Sequence, residues 1–284
     1  MFDWWIAIVI GIIEGLTEFL PVSSTGHMII AGHMLGFTGE RAATFEIVVQ
    51  LGAISAVVVL YWRTIIRLLT ALRPRGGKES AGGKGAEVEP RLNVLHVLIA
   101  ITPALLLAYL LRDFIKTVLF APETVVIGLV LGGIFMIVAE RTAGDVATGN
   151  AGTTHIDQLT YRQTLMIGLA QCLSLWPGFS RSGATIAGGM MAGASRKASA
   201  DFTFIIAIPV MCAAAGYELL QSYRLLSAED VAFLAVGFIV SFVVALLAVM
   251  TFIRLVQRIK LTYFSYYRFA LAGIVVVYMV LVGL

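Results

Sequence analysis

The sequence predicts an all-α polytopic membrane protein with six transmembrane helices plus two re-entrant helix hairpins in an inverted repeat. Three observations carry this expectation. Of 284 residues, 59% are hydrophobic and 13% charged, with a mean hydropathy of +0.93, far from the roughly 25% charged residues of soluble domains. Six apolar runs, residues 44–62, 92–111, 122–140, 202–221, 231–253 and 264–284, each reach the roughly 17 to 25 residues that a membrane-spanning helix needs. Two further apolar segments, 4–35 and 159–194, are each interrupted near the middle by a proline followed by serine and glycine. That pattern suits a hairpin entering and leaving on one side, its broken backbone buried in protein.

The chain opens Met1-Phe2-Asp3-Trp4, with no basic stretch and no small-residue cleavage site, so no removable signal peptide is expected. The first broken segment contains Glu14-Gly15-Leu16-Thr17-Glu18-Phe19-Leu20-Pro21-Val22-Ser23-Ser24-Thr25-Gly26-His27. On insertion scales each charged group at membrane depth costs roughly 3 kcal/mol, so a carboxylate pair here calls for a functional reason. Glu14 and Glu18 are four residues apart, which on a helix puts both on one face about 6 Å apart along the axis. Like charges so placed make sense around a cation or a shared proton. Pro21 ends that helix. Ser23, Ser24, Thr25 and Gly26 then offer hydroxyls and free N–H groups at the start of a second helix, expected over residues 26–35, where an anion is favoured.

Between the first two spans, Arg63, Arg67, Arg73, Arg75, Lys78, Lys84 and Arg91 surround a Gly-rich middle, which predicts a flexible cytoplasmic loop. Alternation then puts Arg141, Arg162, Arg196, Lys197, Arg254, Arg258 and Lys260 inside as well. Only Arg41, Arg112, Lys116 and Arg224 stay outside, with both termini. Residues 143–158, rich in Gly, Ala and Thr, read as a linker within a single integral membrane domain. It separates a first repeat, 1–142, from a second, 159–284, each a hairpin followed by three spans. An odd number of spans per half inverts one half relative to the other. At an offset of 156, Pro21 matches Pro177, Ser24 matches Ser180, Ile30-Ala31-Gly32 matches Ile186-Ala187-Gly188 and Met34 matches Met190. Inverted hairpins would meet tip to tip near the midplane, where a buried polar site would form.

The second tip reads Trp176-Pro177-Gly178-Phe179-Ser180-Arg181-Ser182-Gly183-Ala184-Thr185. Arg181, flanked by serines at a helix start, combines a forked donor, hydroxyls and the positive helix end, a composition suited to phosphate oxygens. The plainer reading is an arginine paired with Glu14 or Glu18 to hold the hairpins together. Phosphoryl transfer needs a nucleophile or activated water, charge neutralisation on the phosphoryl oxygens and a proton donor for the leaving group. The two tips supply all three. Ser24 lies three residues before His27, within reach of its imidazole on a helix. Of the other histidines, His33 lies near a half-helix end, His96 suits a structural role at the start of a span, and His155 falls in the linker. Cys172 and Cys212 match no metal spacing and read as buried small hydrophobes. Trp4, Trp5, Trp62, Tyr263, Tyr266 and Tyr267 read as interface anchors, and Gly128, Gly132 and Gly133 as close-packing positions.

The Glu14/Glu18 pair with Pro21-Val22-Ser23-Ser24-Thr25-Gly26-His27, together with the stretch from Pro177 to Thr185, resembles the bacterial undecaprenyl-diphosphate phosphatase family, also called the bacitracin-resistance protein. The resemblance runs nearly the whole chain, including Thr44-Phe45-Glu46 and Gln50-Leu51-Gly52, with 73–91 as the least similar region. It implies an inner-membrane enzyme that removes the terminal phosphate of undecaprenyl diphosphate, recycling the lipid carrier for peptidoglycan and other envelope polymers. It also implies a divalent cation, Mg or Ca, and an active site facing the periplasm. Carried over by residue, Glu14 and Glu18 would hold the metal or tune a base. Ser24 would be the nucleophile or position a water, and His27 would be its base, the leaving-group acid or itself the nucleophile. Arg181 would clamp the diphosphate with Ser23, Thr25, Gly26, Ser180, Ser182 and Thr185, and Glu46 would stand behind them. The expected partners are a polyprenyl diphosphate lipid, membrane lipids and a second copy in a homodimer, with no nucleic acid.

Two other classes compete. An inverted-repeat transporter or flippase of a phosphorylated lipid or anion would use Arg181 and the serines for a headgroup, and Glu14 with Glu18 for coupling ions. A phosphatidic-acid-phosphatase type site needs a histidine after its Ser-Arg pair, and no histidine follows His155.

Overall fold

The computed structural model describes residues 4–70, 92–119, 121–222 and 228–282. The basic stretch 73–91, Arg224 and the first three residues, which enter the topology and signal-peptide expectations, lie outside them. In chain order the helices are α1 (Trp4–Thr17), α2 (Ser24–Met34), α3 (Glu40–Thr70), α4 (Val94–Leu110), α5 (Arg112–Phe114), α6 (Pro122–Ala143), α7 (Asp145–Thr148), α8 (Tyr161–Leu173), α9 (Arg181–Met191), α10 (Arg196–Ser222), α11 (Ala228–Leu255) and α12 (Leu261–Val282). A π-helical turn, Ile115–Leu119, continues α5, and a 3₁₀ turn covers Ile156–Gln158. The described residues are otherwise without strands, save one bridge between Thr153 and Ala194.

The chain is a multi-pass membrane protein. Five helices, α3, α6, α10, α11 and α12, are long and apolar enough to cross a bilayer. The sixth expected span is α4, 17 residues long, bent by 73° into the α5 segment. At 1.5 Å per residue α4 alone covers about 26 Å, short of a hydrocarbon core of roughly 30 Å.

Neither broken segment contains a helix of span length, since α1, α2, α8 and α9 have 14, 11, 13 and 11 residues. α2 packs back on α1, and α9 on α8. The causes are local. Pro21 has no N–H and disfavours helical backbone at Leu20; Glu18 N–H still reaches Glu14 O at 3.0 Å, then Val22 N–H turns back to Leu20 O at 2.8 Å. In the second break Pro177 is followed by Gly178 at φ 90°, a conformation that glycine adopts without a Cβ clash.

Ser23 and Ser180, at φ 70° and 71°, are the only non-glycine residues of positive φ among the described ones, and each immediately precedes a half-helix. α2 therefore begins at Ser24, ahead of the expected start at 26. Adding 157 to the bounds of α2 gives those of α9. The closing hydrogen bonds recur at the same spacing: Leu35 to Ala31, Gly36 to His33 and Phe37 to Gly32, against Ala192 to Gly188, Gly193 to Met190 and Ala194 to Gly189. The structural register is thus 157, one residue beyond the spacing of 156 read from the sequence, and it pairs Ser23 with Ser180, Gly26 with Gly183, Ile29 with Ile186, Gly32 with Gly189 and Met34 with Met191. The two spacings differ because Ile, Ala and Gly recur on neighbouring positions in both half-helices.

The segment 143–158 is structured: α7, the Thr153 bridge and the 3₁₀ turn lie in it, and Asp157 fixes the turn by accepting from Arg67 at 2.9 Å and Leu92 N–H at 3.3 Å. The main core brings together Phe19 from the first break, Val57 on α3, Met136 on α6, Ile186 on α9, Phe204 on α10 and Phe252 on α11. Phe19 meets Phe204 edge to face at 5.6 Å between centroids, a geometry worth about 1 kcal/mol beyond its buried area. Gly15 lets α1 lie directly on α11, where a Cβ would stand 2.7 Å from Ser241 O.

Candidate active site

The two breaks meet, and Glu18 is the junction. Arg181 Nη2 donates to Glu18 Oε1 at 3.0 Å, and Ser24 Oγ donates to Glu18 Oε2 at 2.6 Å. Ser182 Oγ donates to Leu20 O at 3.0 Å, a second bond from tip to tip. Arg181 also lies over the Phe19 ring, 5.9 Å from its centroid. The side chains of Arg181 and Glu18 are 13% and 7% exposed, so each charge depends on the other for compensation. Arg181 Nη1 is buried without a hydrogen-bond partner among the described residues.

Ser24 and His27 share α2 but not a hydrogen bond. The Ser24 hydroxyl turns to Glu18, while His27 Nδ1 lies 2.8 Å from Ser23 O and Nε2 lies 2.7 Å from Tyr267 Oη. A carbonyl only accepts, so Nδ1 carries the proton, and in the neutral ring Nε2 accepts from the Tyr267 hydroxyl. The two rings are near parallel, with centroids 5.7 Å apart. Tyr267, exposed like Tyr263 and Tyr266, is thus more than the interface anchor its position in the sequence suggests, because its hydroxyl reaches His27.

At the second tip, Ser180 Oγ accepts the Gly183 N–H at 3.2 Å and lies 3.2 Å from Ser182 Oγ. Ser182 and Thr185 are fully buried, and their hydroxyls are spent internally, the latter donating to Arg181 O at 2.8 Å. Both hold α9 in place rather than face open space. The first tip differs: Ser23 makes no side-chain cap to α2, so the first N–H groups there are without the side-chain acceptor that Ser180 supplies to α9. Gly26 is buried against Leu129, and Thr25 faces a cavity.

Arg268, absent from the sequence-derived site, is completely buried on α12 and donates to Gly128 O at 3.1 Å and Gly178 O at 2.7 Å. It pins the second break onto α6, where Trp176 Nε1 adds a bond to Thr124 O at 2.8 Å. A lone arginine inside the apolar run 264–284 was the available signal. His96 has the structural role expected, bonded to Asn93 Oδ1 at 3.0 Å and stacked on Tyr161.

A cavity of about 570 Å³ opens beside the junction, lined by Glu14, Ser24, Thr25, Glu46, Gln50 and Glu218 among others. Glu14 is buried, and its Oε1 has no hydrogen-bond partner among the described residues. All the polar atoms of Glu14, Ser24, Thr25 and Glu46 that could face a cation are oxygens, the donor type of Mg²⁺ and Ca²⁺. Among the described residues no three carboxylate, imidazole or thiol groups converge as a ready metal cage. The donor set fits a hard cation that keeps water or takes substrate phosphate oxygens as its remaining ligands.

The chain matches known proteins over nearly its whole length. The family model described as "Bacitracin resistance protein BacA" matches residues 7–275. A protein named "Undecaprenyl-diphosphatase 1" in Bacillus thuringiensis (strain Al Hakam) is 50% identical over 281 residues, 99% of this chain and 100% of that one. Proteins of the same name in Bacillus anthracis and Bacillus thuringiensis subsp. konkukian are 50% and 49% identical, each over 99% of this chain and 100% of their own length.

Proposed function

The chain belongs to the bacitracin resistance protein BacA family, and from that premise we propose that it hydrolyses undecaprenyl diphosphate to undecaprenyl phosphate and inorganic phosphate. The reaction returns the lipid carrier to cell-wall synthesis and confers bacitracin resistance. The observation that carries the assignment to a site is the single hydrogen-bonded chain Ser24–Glu18–Arg181 across the two breaks.

Ser24 is the nucleophile in this reading. Its oxygen attacks the terminal phosphorus while its proton passes to Glu18 Oε2, 2.6 Å away. The anhydride P–O bond breaks, and its electron pair leaves with undecaprenyl phosphate. Water then cleaves the phosphoserine, releasing inorganic phosphate and restoring Ser24. Arg181 Nη1, a buried donor without a partner among the described residues, binds a phosphoryl oxygen, and the uncapped start of α2 faces the same anion. His27, oriented by Ser23 O and Tyr267, takes up a proton at Nε2 and relays it to the leaving oxygen. Glu14, with Glu46 beside the same cavity and Glu18 at its back, would hold a divalent cation. When bound, it would neutralise phosphate charge.

The finer architecture is part of the proposal: six spans and two re-entrant hairpins in two inverted repeats, 1–142 and 159–284. The register of 157 between α2 and α9 supports it. So does the direction of the second segment, which starts beside Asn93 at the head of α4 and breaks beside Thr124 at the head of α6. Arg141, Arg196, Arg254 and Lys260 share one end of the bundle, while Glu46 and Glu218 line the cavity near the other. The positive-inside rule then opens the site to the periplasm of an inner membrane.

The test is inorganic phosphate release from undecaprenyl diphosphate by purified protein, with and without a chelator. Chelator-sensitive release is expected; lipid binding without release in any condition points instead to a transporter.

A further inference from the structure

A second polar cavity lies at the opposite end of the bundle. It encloses about 500 Å³ and is lined by Arg141, Thr148, Lys260, Thr262, Tyr263 and Tyr266 above a floor of Glu140 and Arg196. The floor is built: Arg196 is 3% exposed and donates through Nη2 to Glu140 Oε1 at 2.7 Å and through Nε to both Glu140 oxygens at 3.1 Å. Arg196 Nη1 reaches Gln257 O at 3.3 Å, and Glu140 Oε2 accepts the Leu261 N–H at 3.1 Å. One ion pair thus locks the ends of α6, α10, α11 and α12 together. It cancels its own charge and leaves Arg141 and Lys260, both exposed, as the net charge of the cavity.

The surface leading away from this cavity is apolar. Tyr263, Tyr266, Ala270, Ile274, Val277 and Leu281 are all exposed and recur at helical spacing along one face of α12. A cationic, hydroxyl-lined cup at the head of an exposed apolar stripe is the shape of an amphiphile, with an anionic head and a hydrocarbon tail. Exposed tyrosines at the boundary between the two are the side chains favoured at headgroup depth.

We propose that this cavity binds an anionic phospholipid, its phosphate between Arg141 and Lys260 and its acyl chain along the α12 stripe. A soluble phosphate would use the two cations but not the stripe. Basic pockets between membrane helices are established as headgroup sites.

The test reads lipid retained by the purified full chain, by native mass spectrometry and by thermal shift. The probes are phosphatidylglycerol, phosphatidylcholine and inorganic phosphate. Phosphatidylglycerol is expected to be retained and to raise the unfolding midpoint, with little effect of the other two. The Arg141→Gln/Lys260→Gln variant is expected to lose on the order of thirtyfold in affinity for it, from about one surface charge interaction per cation. Arg258→Gln, an exposed charge outside the cavity, is expected to bind as the unaltered chain does. Equal retention of phosphatidylcholine, an equal response to inorganic phosphate, or undiminished binding by the double variant each overturns the proposal. Should that variant misfold, Tyr263→Ala/Tyr266→Ala supplies the second arm: it is expected to weaken phosphatidylglycerol retention, and unchanged retention counts against the site.

Discussion

Arg181 Nη2 and Glu18 Oε1 lie 3.0 Å apart, although Glu18 sits in the first break and Arg181 opens the half-helix that follows the second. One contact therefore does two things. It holds the breaks together, and it orients the carboxylate whose other oxygen takes the Ser24 proton.

Removing one partner of a buried pair strands the other. Arg181→Ala is expected to cost about 3–5 kcal/mol of stability, read as a lower unfolding midpoint in detergent. Glu18→Gln added to it removes the stranded charge and should recover most of that loss without recovering activity. A single variant as stable as the unaltered protein would show that the pair contributes little to holding the breaks.

Ser24→Ala should lower kcat far more than it raises KM, because the hydroxyl acts in the transition state. Acid quench during turnover of terminally labelled substrate should trap label on Ser24. Turnover with no trapped label, even in rapid quench, would give the attacking role to water.

Tyr267→Phe removes one hydrogen bond to His27 Nε2 and keeps the stacked ring. The expected loss is about 3- to 10-fold in kcat, matching a bond worth roughly 0.5–1.5 kcal/mol. Tyr267→Ala should lose more. Unchanged kcat in both would make the contact incidental.

Glu14→Gln should raise the divalent cation concentration needed for half-maximal activity by on the order of tenfold or more. An unchanged metal titration would remove Glu14 from the cation site.

Gly128→Ala should destabilise the fold by about 1–3 kcal/mol, because a Cβ there runs into Pro177 O of the second break. The same change at Gly216, which has open space around it, is the matched control. Equal unfolding midpoints for the two would contradict this account of how the second break is seated.

Much of this molecule was legible in the sequence, because membrane burial makes polarity conspicuous. Glu14, Glu18 and Arg181 stood out from apolar surroundings, and Pro21 and Pro177 marked the breaks. Other features depended on tertiary contacts that local pattern does not encode. Ser24 lies one helical turn before His27, so a Ser–His pair was expected, yet the turn at Pro21 swings Glu18 under the hydroxyl instead. Tyr267 resembles its neighbours Tyr263 and Tyr266 in every local respect, and only the approach of α2 to α12 distinguishes it. The register of 157 is fixed by backbone conformation at Ser23 and Ser180, whereas residue identities in Gly- and Ala-rich helices fit more than one alignment. Ser182 and Thr185 look like ligand hydroxyls in sequence and are buried supports of α9.

The central claim is that the two breaks form one phosphatase site, and the most direct measurement is phosphate release from undecaprenyl diphosphate by the purified chain beside Arg181→Ala/Glu18→Gln, the variant without a stranded charge. The account predicts steady release from the unaltered protein and none above background from the folded variant. Release at a comparable rate from that variant would contradict it.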